Sequence, residues 1–592
     1  MPVIGIETHS QLDNGKVRGL YSMKHQNRDP RLLALATISI ITILIAAAAP
    51  SPTLAKPTSS TNPCPRFAPG SVVSNPPALF SQGGVLSVNL TYNTETDADG
   101  RTLYCFTTPN GLESPTLWVN PGDRLIIHVK NNLPVATDSN AMRMATSASN
   151  VCGSATMDES SVNIHFHGTN TPPVCHEDEV IHTLINAGQT FTYNLGFPLN
   201  EPPGLYWYHP HVHGISESAL QGGATGAIVV QGLANLQPAV RGLTQRILLI
   251  RDQTGAGNPG LDPNAPSWDV TLNYVPIPYP SYPPAIIQMK PGQKQLWRVV
   301  NSCADTITDL QLLYDGVPQT LQVVALDGVP TGSQDGTRRG KIVNMTDILL
   351  PPAARAEFIV TGPATSVKNA TLMTLGQDTG PEGDSTPPRP LATIQTIGGK
   401  SSLASAASVE STPSVSASEE TASTMPMVTA KPNPQRFEGL AQATPTATRT
   451  LFFSETAPDG DPDDLQTFFI TVQGQSERAF SPNNPPAITT TQGSVEDWTI
   501  ENHAMEPHEF HMHQIHFLLM AVNGVPVPAD QQQMLDMKQV GYWSGTGPYP
   551  SITVRMDFRG KDVGDFVYHC HILGHEDNGM MAIIRVLPAP KK

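Results

Sequence analysis

The chain has 592 residues, 39% of them hydrophobic, which is enough for about three cores of ordinary size. Its 51 Asp and Glu outweigh 35 Lys and Arg, and the net charge of −16 argues against nucleic acid or an anionic membrane as partner. With 56 Pro and 47 Gly, turns and extended segments are expected in place of long helices.

Residues 1–31 are polar with scattered Lys and Arg, and the apolar run Leu32–Ala49 follows. Pro50 and the small-residue end at Ala55 complete the pattern of a secretory signal peptide over residues 1–55, with Met23 an alternative start. The run is near the lower limit for spanning a bilayer, which leaves an uncleaved anchor open. Export is therefore expected, periplasmic or secreted, with no stable membrane partner once the leader is removed. Six cysteines suit such a compartment. Cys152 with Cys175 and Cys64 with Cys105 are candidate pairs, and Cys303 reads as a small buried hydrophobe, although spacing leaves the connectivity open.

The mature chain has one texture used three times. Over residues 56–240, L-S-V-N-L-T-Y, T-L-W-V, the turn N-P-G-D and R-L-I-I-H-V-K-N-N predict short strands of a β-sandwich. Residues 241–398 repeat it with I-L-L-I-R-D, A-I-I-Q-M-K-P-G-Q-K-Q-L-W-R-V-V-N and A-E-F-I-V-T-G. Residues 399–445 are rich in Ser, Ala, Thr and Pro and read as a flexible linker. Residues 446–592 return to strands, with F-F-I-T-V, V-E-D-W-T-I-E-N and I-H-F-L-L-M-A-V. The fold class is all-β, three consecutive sandwiches.

Histidines are distributed unevenly: the middle unit, Arg246 to Pro363, has none of the 18. The first unit carries N-I-H-F-H-G, with His165 and His167, and Y-W-Y-H-P-H-V-H-G, with His209 and His211. The third carries P-H-E-F-H-M-H-Q-I-H-F, with His508, His511 and His513, and F-V-Y-H-C-H-I-L-G-H-E-D-N-G-M-M. Side chains two apart share a face of a strand, so the pairs 165/167, 209/211, 511/513 and 569/571 offer eight imidazoles, enough for three metal ions. Phe566–His571 reads as a strand running into a loop that holds His575 and Met580, so Cys570 points to the other face from His569 and His571. With His575, Met580 and His508, whose offset from His511 is odd, it makes the two-His, one-Cys, weak-Met set of a blue-copper site. One H-x-H alone is more often structural than ligating. Zinc is the competing metal, but a hydrolytic zinc site uses far fewer ligands.

These four motifs resemble those of the multicopper oxidases, laccase-like enzymes of three cupredoxin domains, and the tail is similar to that of bacterial laccases. The resemblance implies three Greek-key cupredoxin sandwiches and four copper ions. His508, Cys570, His575 and Met580 look like the type 1 ligands, and His165 and His511 like the type 2 pair. His167, His209, His211, His513, His569 and His571 look like the type 3 ligands. It further implies single-electron oxidation of a donor near the surface, relay through Cys570, and reduction of O2 to water. Glu576 and Asp178 match the family's proton-assisting carboxylates, with Glu177 an alternative to Asp178. One departure is Glu509, where laccases commonly carry Pro in H-P-x-H-L-H.

His213 and His516 are expected to pack or hydrogen-bond beside ligands, and His128, His176, His182 and His503 to be ordinary surface or core residues. Trp207, Tyr206 and Tyr568 read as core or shielding. Three functions compete. The first is oxidation of small phenolic or aromatic donors. The second is oxidation of a reduced metal ion, Cu(I), Fe(II) or Mn(II), which the lack of a dense Met cluster disfavours. The third is a copper-free relative, which should have lost ligands.

Overall fold

The computed structural model describes residues 62–135, 151–153, 155–255, 262, 264–334, 340–398, 436–456 and 466–590. The expected leader, and residues 399–435 of the expected linker, lie outside them. Among the described residues the strands form six sheets, two for each stretch of chain in turn.

In the first stretch, Ala78–Phe80, Thr116–Val119, Gly226–Val230, Gly204–His209 and His165–His167 lie side by side. Thr102–Thr107, Val85–Thr96, Arg124–Asn131 and Thr190–Gly196 form the facing sheet. The alternation in L-S-V-N-L-T-Y is what closes them: Leu86, Val88, Leu90 and Tyr92 are buried while Ser87 and Asn89 face out. They share one apolar cluster with Leu117, Val119, Ile228 and Val230 of the opposite sheet.

The middle stretch is built the same way, with Thr244–Gln253 parallel to Lys294–Asn301. Its apolar cluster runs outward to Leu205 and Trp207 of the first stretch and to Met537 and Leu573 of the third. The units are therefore joined by burial of shared apolar surface. Gly204 marks how closely they meet: a Cβ there would overlap the backbone of Gly328. In the third stretch, Ile488–Thr491, Met581–Leu587, Gly564–Cys570, His508–Met512 and Met537–Val540 form the sheet that carries the histidine motifs.

Local details differ from the sequence reading. The strand expected to reach His571 ends at Cys570: His571 N–H still donates to Glu509 O at 2.8 Å, but the amide of Ile572 turns to Cys570 Sγ at 3.5 Å. His211 and His513 likewise lie just past strand ends. His575 was expected in a loop but sits in the short helix Leu573–Asp577, where Ile572 O accepts from the amides of both His575 and Glu576 at 3.0 Å. Disulfides join Cys64 to Cys105 and Cys152 to Cys175, and Cys303 is buried and unpaired by any disulfide, as expected.

Glu201 offers a test of how the first and third stretches pack. It is 2% exposed, accepts from Asn170 N–H and Nδ2 at 3.2 and 2.9 Å, and burial pushes its carboxyl up to about 7 despite the Arg436 charge. A carboxyl with a raised folded value stabilises below its ordinary 4.5, and that contribution is lost as pH rises through about 7. Glu201→Gln should therefore lose less thermal stability than the parent across this pH window. Equal losses would contradict the burial argument.

Candidate metal centre

The four His-x-His pairs converge. His165–His167 pairs with His209 at the end of its neighbouring strand, in the register His165↔His209. His511 sits opposite His569 in the register of the third unit. Across the boundary, His165 stacks on His513 at 3.8 Å between ring centroids and His167 on His511 at 4.0 Å. His211 Nε2 and His513 Nε2 lie 3.2 and 3.1 Å from His569 Nε2. His571 faces His167 at 5.1 Å and His209 at 5.5 Å between centroids. No ring of the eight is more than 1% exposed.

The outward nitrogens explain which inward ones are free. His209 Nδ1 donates to Pro210 O at 2.8 Å, His511 Nδ1 to Asp536 O at 2.8 Å and His569 Nδ1 to Cys570 O at 2.7 Å. His165 Nδ1 is 3.0 Å from Asp178 Oδ1. A ring that donates through Nδ1 keeps a lone pair on Nε2 when neutral. Among the described residues, the Nε2 atoms of His165, His209 and His511 have no hydrogen-bond partner, nor has either nitrogen of His571. Burial first, and then mutual repulsion, holds these imidazoles well below their ordinary range, and His569 at about 3. Neutral rings aiming unpartnered lone pairs into one buried volume fit metal ions and fit little else.

The second set lies on the other face of the same strand. Cys570 Sγ is 3.7 Å from His508 Nδ1 and 3.8 Å from His575 Nδ1, and the two nitrogens are 3.0 Å apart. The amides of Glu509 and Ile572 donate to the sulfur at 3.3 and 3.5 Å, an arrangement suited to a thiolate. Burial alone would keep the thiol protonated, so a bound cation is what would release its proton. Met580 is fully buried in the same apolar cluster as Cys570; its amide donates to His575 O at 2.9 Å and its carbonyl accepts from Cys570 N–H at 3.1 Å. A thiol and two imidazoles, with Met580 in the same apolar cluster, fit copper.

Asp178 and Glu576 are both buried beside these sets. Asp178 Oδ1 also accepts from Phe166 N–H at 3.0 Å and Oδ2 from Gln514 Nε2 at 2.7 Å; burial pushes its carboxyl up to about 8. Glu177, the alternative, is half-buried. Glu576 is raised to about 8 by burial alone, with His213 Nδ1 3.8 Å from Oε1. His516 is fully buried and donates through Nε2 to Asp327 O at 2.8 Å, a supporting role as expected. His176 and His503 stand outside both clusters, stacked on Phe191 and on Phe452 and Tyr549.

Sequence reasoning missed Asp536, Gln514 and Glu506. Asp536 reaches the site only because the strand Met537–Val540 pairs with His508–Met512, a non-local fact. Gln514 directly follows His513 with φ +60°, and its place in H-M-H-Q was the one available signal. Glu506, two residues before His508, lies 3.3 Å from His575 Nε2.

Two family models, both described as multicopper oxidase, match residues 456–590 and 150–235. Multicopper oxidases mco of Staphylococcus haemolyticus and Staphylococcus epidermidis are each 31% identical over 121 residues, 20% of this chain. That match spans 24% of the length of either relative. Among solved structures, a multicopper oxidase from Campylobacter jejuni, described as a metallo-oxidase, aligns with TM-score 0.61 and 21% identity over 88% of this chain and 96% of its own. A bacterial laccase-like multi-copper oxidase CueO from Ochrobactrum sp. aligns with TM-score 0.56 and 19% identity over 87% and 100%. At these identities the structures establish a shared fold.

Removing the sulfur should separate the two sets. Cys570→Ser is expected to abolish the blue colour of copper-loaded protein while most of the bound copper remains, read by metal analysis. Retained blue colour would exclude Cys570 as the ligand.

Proposed function

Because the chain carries two multicopper oxidase domains, we propose that it is a laccase-like oxidase that draws single electrons from phenolic or aromatic donors and reduces O2 to water. One observation carries this reading: Cys570 belongs to one candidate ligand set while its chain neighbours His569 and His571 belong to the other. His508, Cys570, His575 and Met580 would hold one copper. His165 and His511 would hold a second, and His167, His209, His211, His513, His569 and His571 a pair, four ions in all. Bound copper would supply one-electron redox chemistry at the first position and O2 chemistry at the other three.

The chain's own residues do the rest. Cys570 and its peptide bonds are the shortest covalent path between the two sets. The protein excludes water from the eight rings, so that partly reduced oxygen is not released to solvent. Asp178, with Gln514 Nε2 donating to its Oδ2, would hold a proton at Oδ1 beside His165 Nδ1, and Glu576 at its carboxyl facing His213. Two disulfides support reading the chain as exported.

The choice of donor rests on the surface over His508 and His575. A cleft of about 300 Å³, lined in part by Pro507, Gln539, Val540 and Tyr542, takes in the chain neighbour of His508 and its strand partner Val540, and has the size for a small aromatic. A second reading, oxidation of a reduced metal cation, is favoured by the carboxylates at His575: Glu506 at its Nε2, with Glu455 against Glu506 and Glu382 against Glu455. Oxygen uptake should be compared with a phenol, an aromatic amine, Cu(I) and Mn(II), in the parent and in Glu455→Gln. Uptake driven by phenol or amine and unaffected by Glu455→Gln is the expected result. Uptake restricted to the metal ions, with KM raised about tenfold or more in the variant, would replace the first reading with the second.

A further inference from the structure

The middle unit has no histidine, yet it reaches the eight-ring cluster through one charged side chain. Arg355, in the strand Arg355–Thr361, is fully buried. Its Nη1 and Nη2 donate to the two carboxylate oxygens of Asp536, Oδ1 and Oδ2, at 2.5 and 2.6 Å. Arg355 Nε donates to Leu205 O of the first unit at 3.2 Å. Asp327, also of the middle unit, accepts from Arg355 N–H at 2.9 Å through Oδ1 and from the amides of Asp536 and Met537 at 3.3 Å through Oδ2. Backbone and side chain of Asp536 are thereby both clamped.

What the clamp presents is directed at the histidines. Asp536 O accepts a hydrogen bond from His511 Nδ1–H, which leaves His511 Nε2 facing inward. Asp536 Oδ1 lies 3.5 Å from His167 Nε2, and Oδ2 the same distance from His516 Nε2. The donor atoms of His167, His511 and Asp536 lie within 4.8 Å of one another. Gly168 completes the arrangement from the first unit: with φ +82°, a Cβ there would overlap both Arg355 Nη2 and Asp536 Oδ2. The glycine of N-I-H-F-H-G is thus the space the ion pair occupies.

We propose that Asp536, clamped by Arg355 and Asp327, is a positioning residue for the His167/His511 side of the cluster, so that the histidine-free unit sets the geometry of the metal site. A bidentate guanidinium–carboxylate pair has one preferred geometry and keeps the carboxylate from swinging inward as a ligand. The same carboxylate adds a fixed negative charge beside neutral imidazoles that must accommodate cations. This inference rests on reading the cluster as a copper site.

The test compares copper-loaded parent protein with Asp536→Asn and with the double variant Arg355→Gln/Asp536→Asn, which removes both members of the bidentate pair together if the single variant fails to accumulate. Copper per chain and the paramagnetic resonance of non-blue cupric ion are measured, with the blue absorption as internal reference. Both variants should keep the blue absorption and lose or shift the non-blue resonance. As a control, Arg555→Gln/Asp497→Asn neutralises an ion pair whose guanidinium otherwise bonds the carbonyls of Leu440, Ala441 and Ala443, and it should change neither signal. A parent-like non-blue resonance in the Asp536 variants, or equal loss in the control, would overturn the positioning role. A parent that binds no copper would instead overturn the copper reading itself.

Discussion

Eight imidazoles share one water-excluded volume, and the protein must keep their inward nitrogens unprotonated. Desolvation does most of this, since a charged ring in that volume would lose its hydration and face seven others. Carbonyl acceptors do the remainder by holding the protons on Nδ1 of His209, His511 and His569 through hydrogen bonds. The cost is a set of unpartnered polar atoms in the interior, of the kind natural proteins retain at functional sites. Such a cluster cannot be built from one sheet. Its rings come from two units held against each other, and the interface is the site.

That requirement gives the middle unit its role. Its apolar cluster extends into both neighbours, and Gly204 against Gly328 brings two backbones into direct contact. At the centre, Arg355 bonds to the first unit at Leu205 O and to the third at Asp536. A buried ion pair of this kind is weak evidence for stability, because desolvation offsets its attraction. Its value here lies in fixing direction, which a purely apolar contact does not do.

The Cys570 strand solves a different problem with local geometry. Alternation along a strand sends the sulfur to one face and the neighbouring rings to the other. Two ligand sets can then be close in covalent terms while each keeps its own surroundings. The first position lies nearer the outside: His575 is 8% exposed, whereas the eight rings are effectively sealed. On the proposed reading, electrons would enter at the first position, away from the sealed rings.

Sequence alone determined the parts whose information is local. Strand alternation, the three repeats of β-texture and the identity of twelve candidate ligands could be read because side-chain period and donor chemistry need only near neighbours. Asp178 was legible by its place after the first His-x-His, and the structure brings it to His165 Nδ1. Strand ends at Cys570 and His209, and the helix holding His575, were misjudged because side-chain alternation does not signal where backbone amides turn, as at Cys570 Sγ and Ile572 O. Asp536, Arg355 and Glu506 were invisible, since their neighbours come from strand pairing and from packing between units. Ordinary residues at ordinary spacing acquire a role only when a fold brings distant charges into one dry volume, and that was decided by tertiary structure.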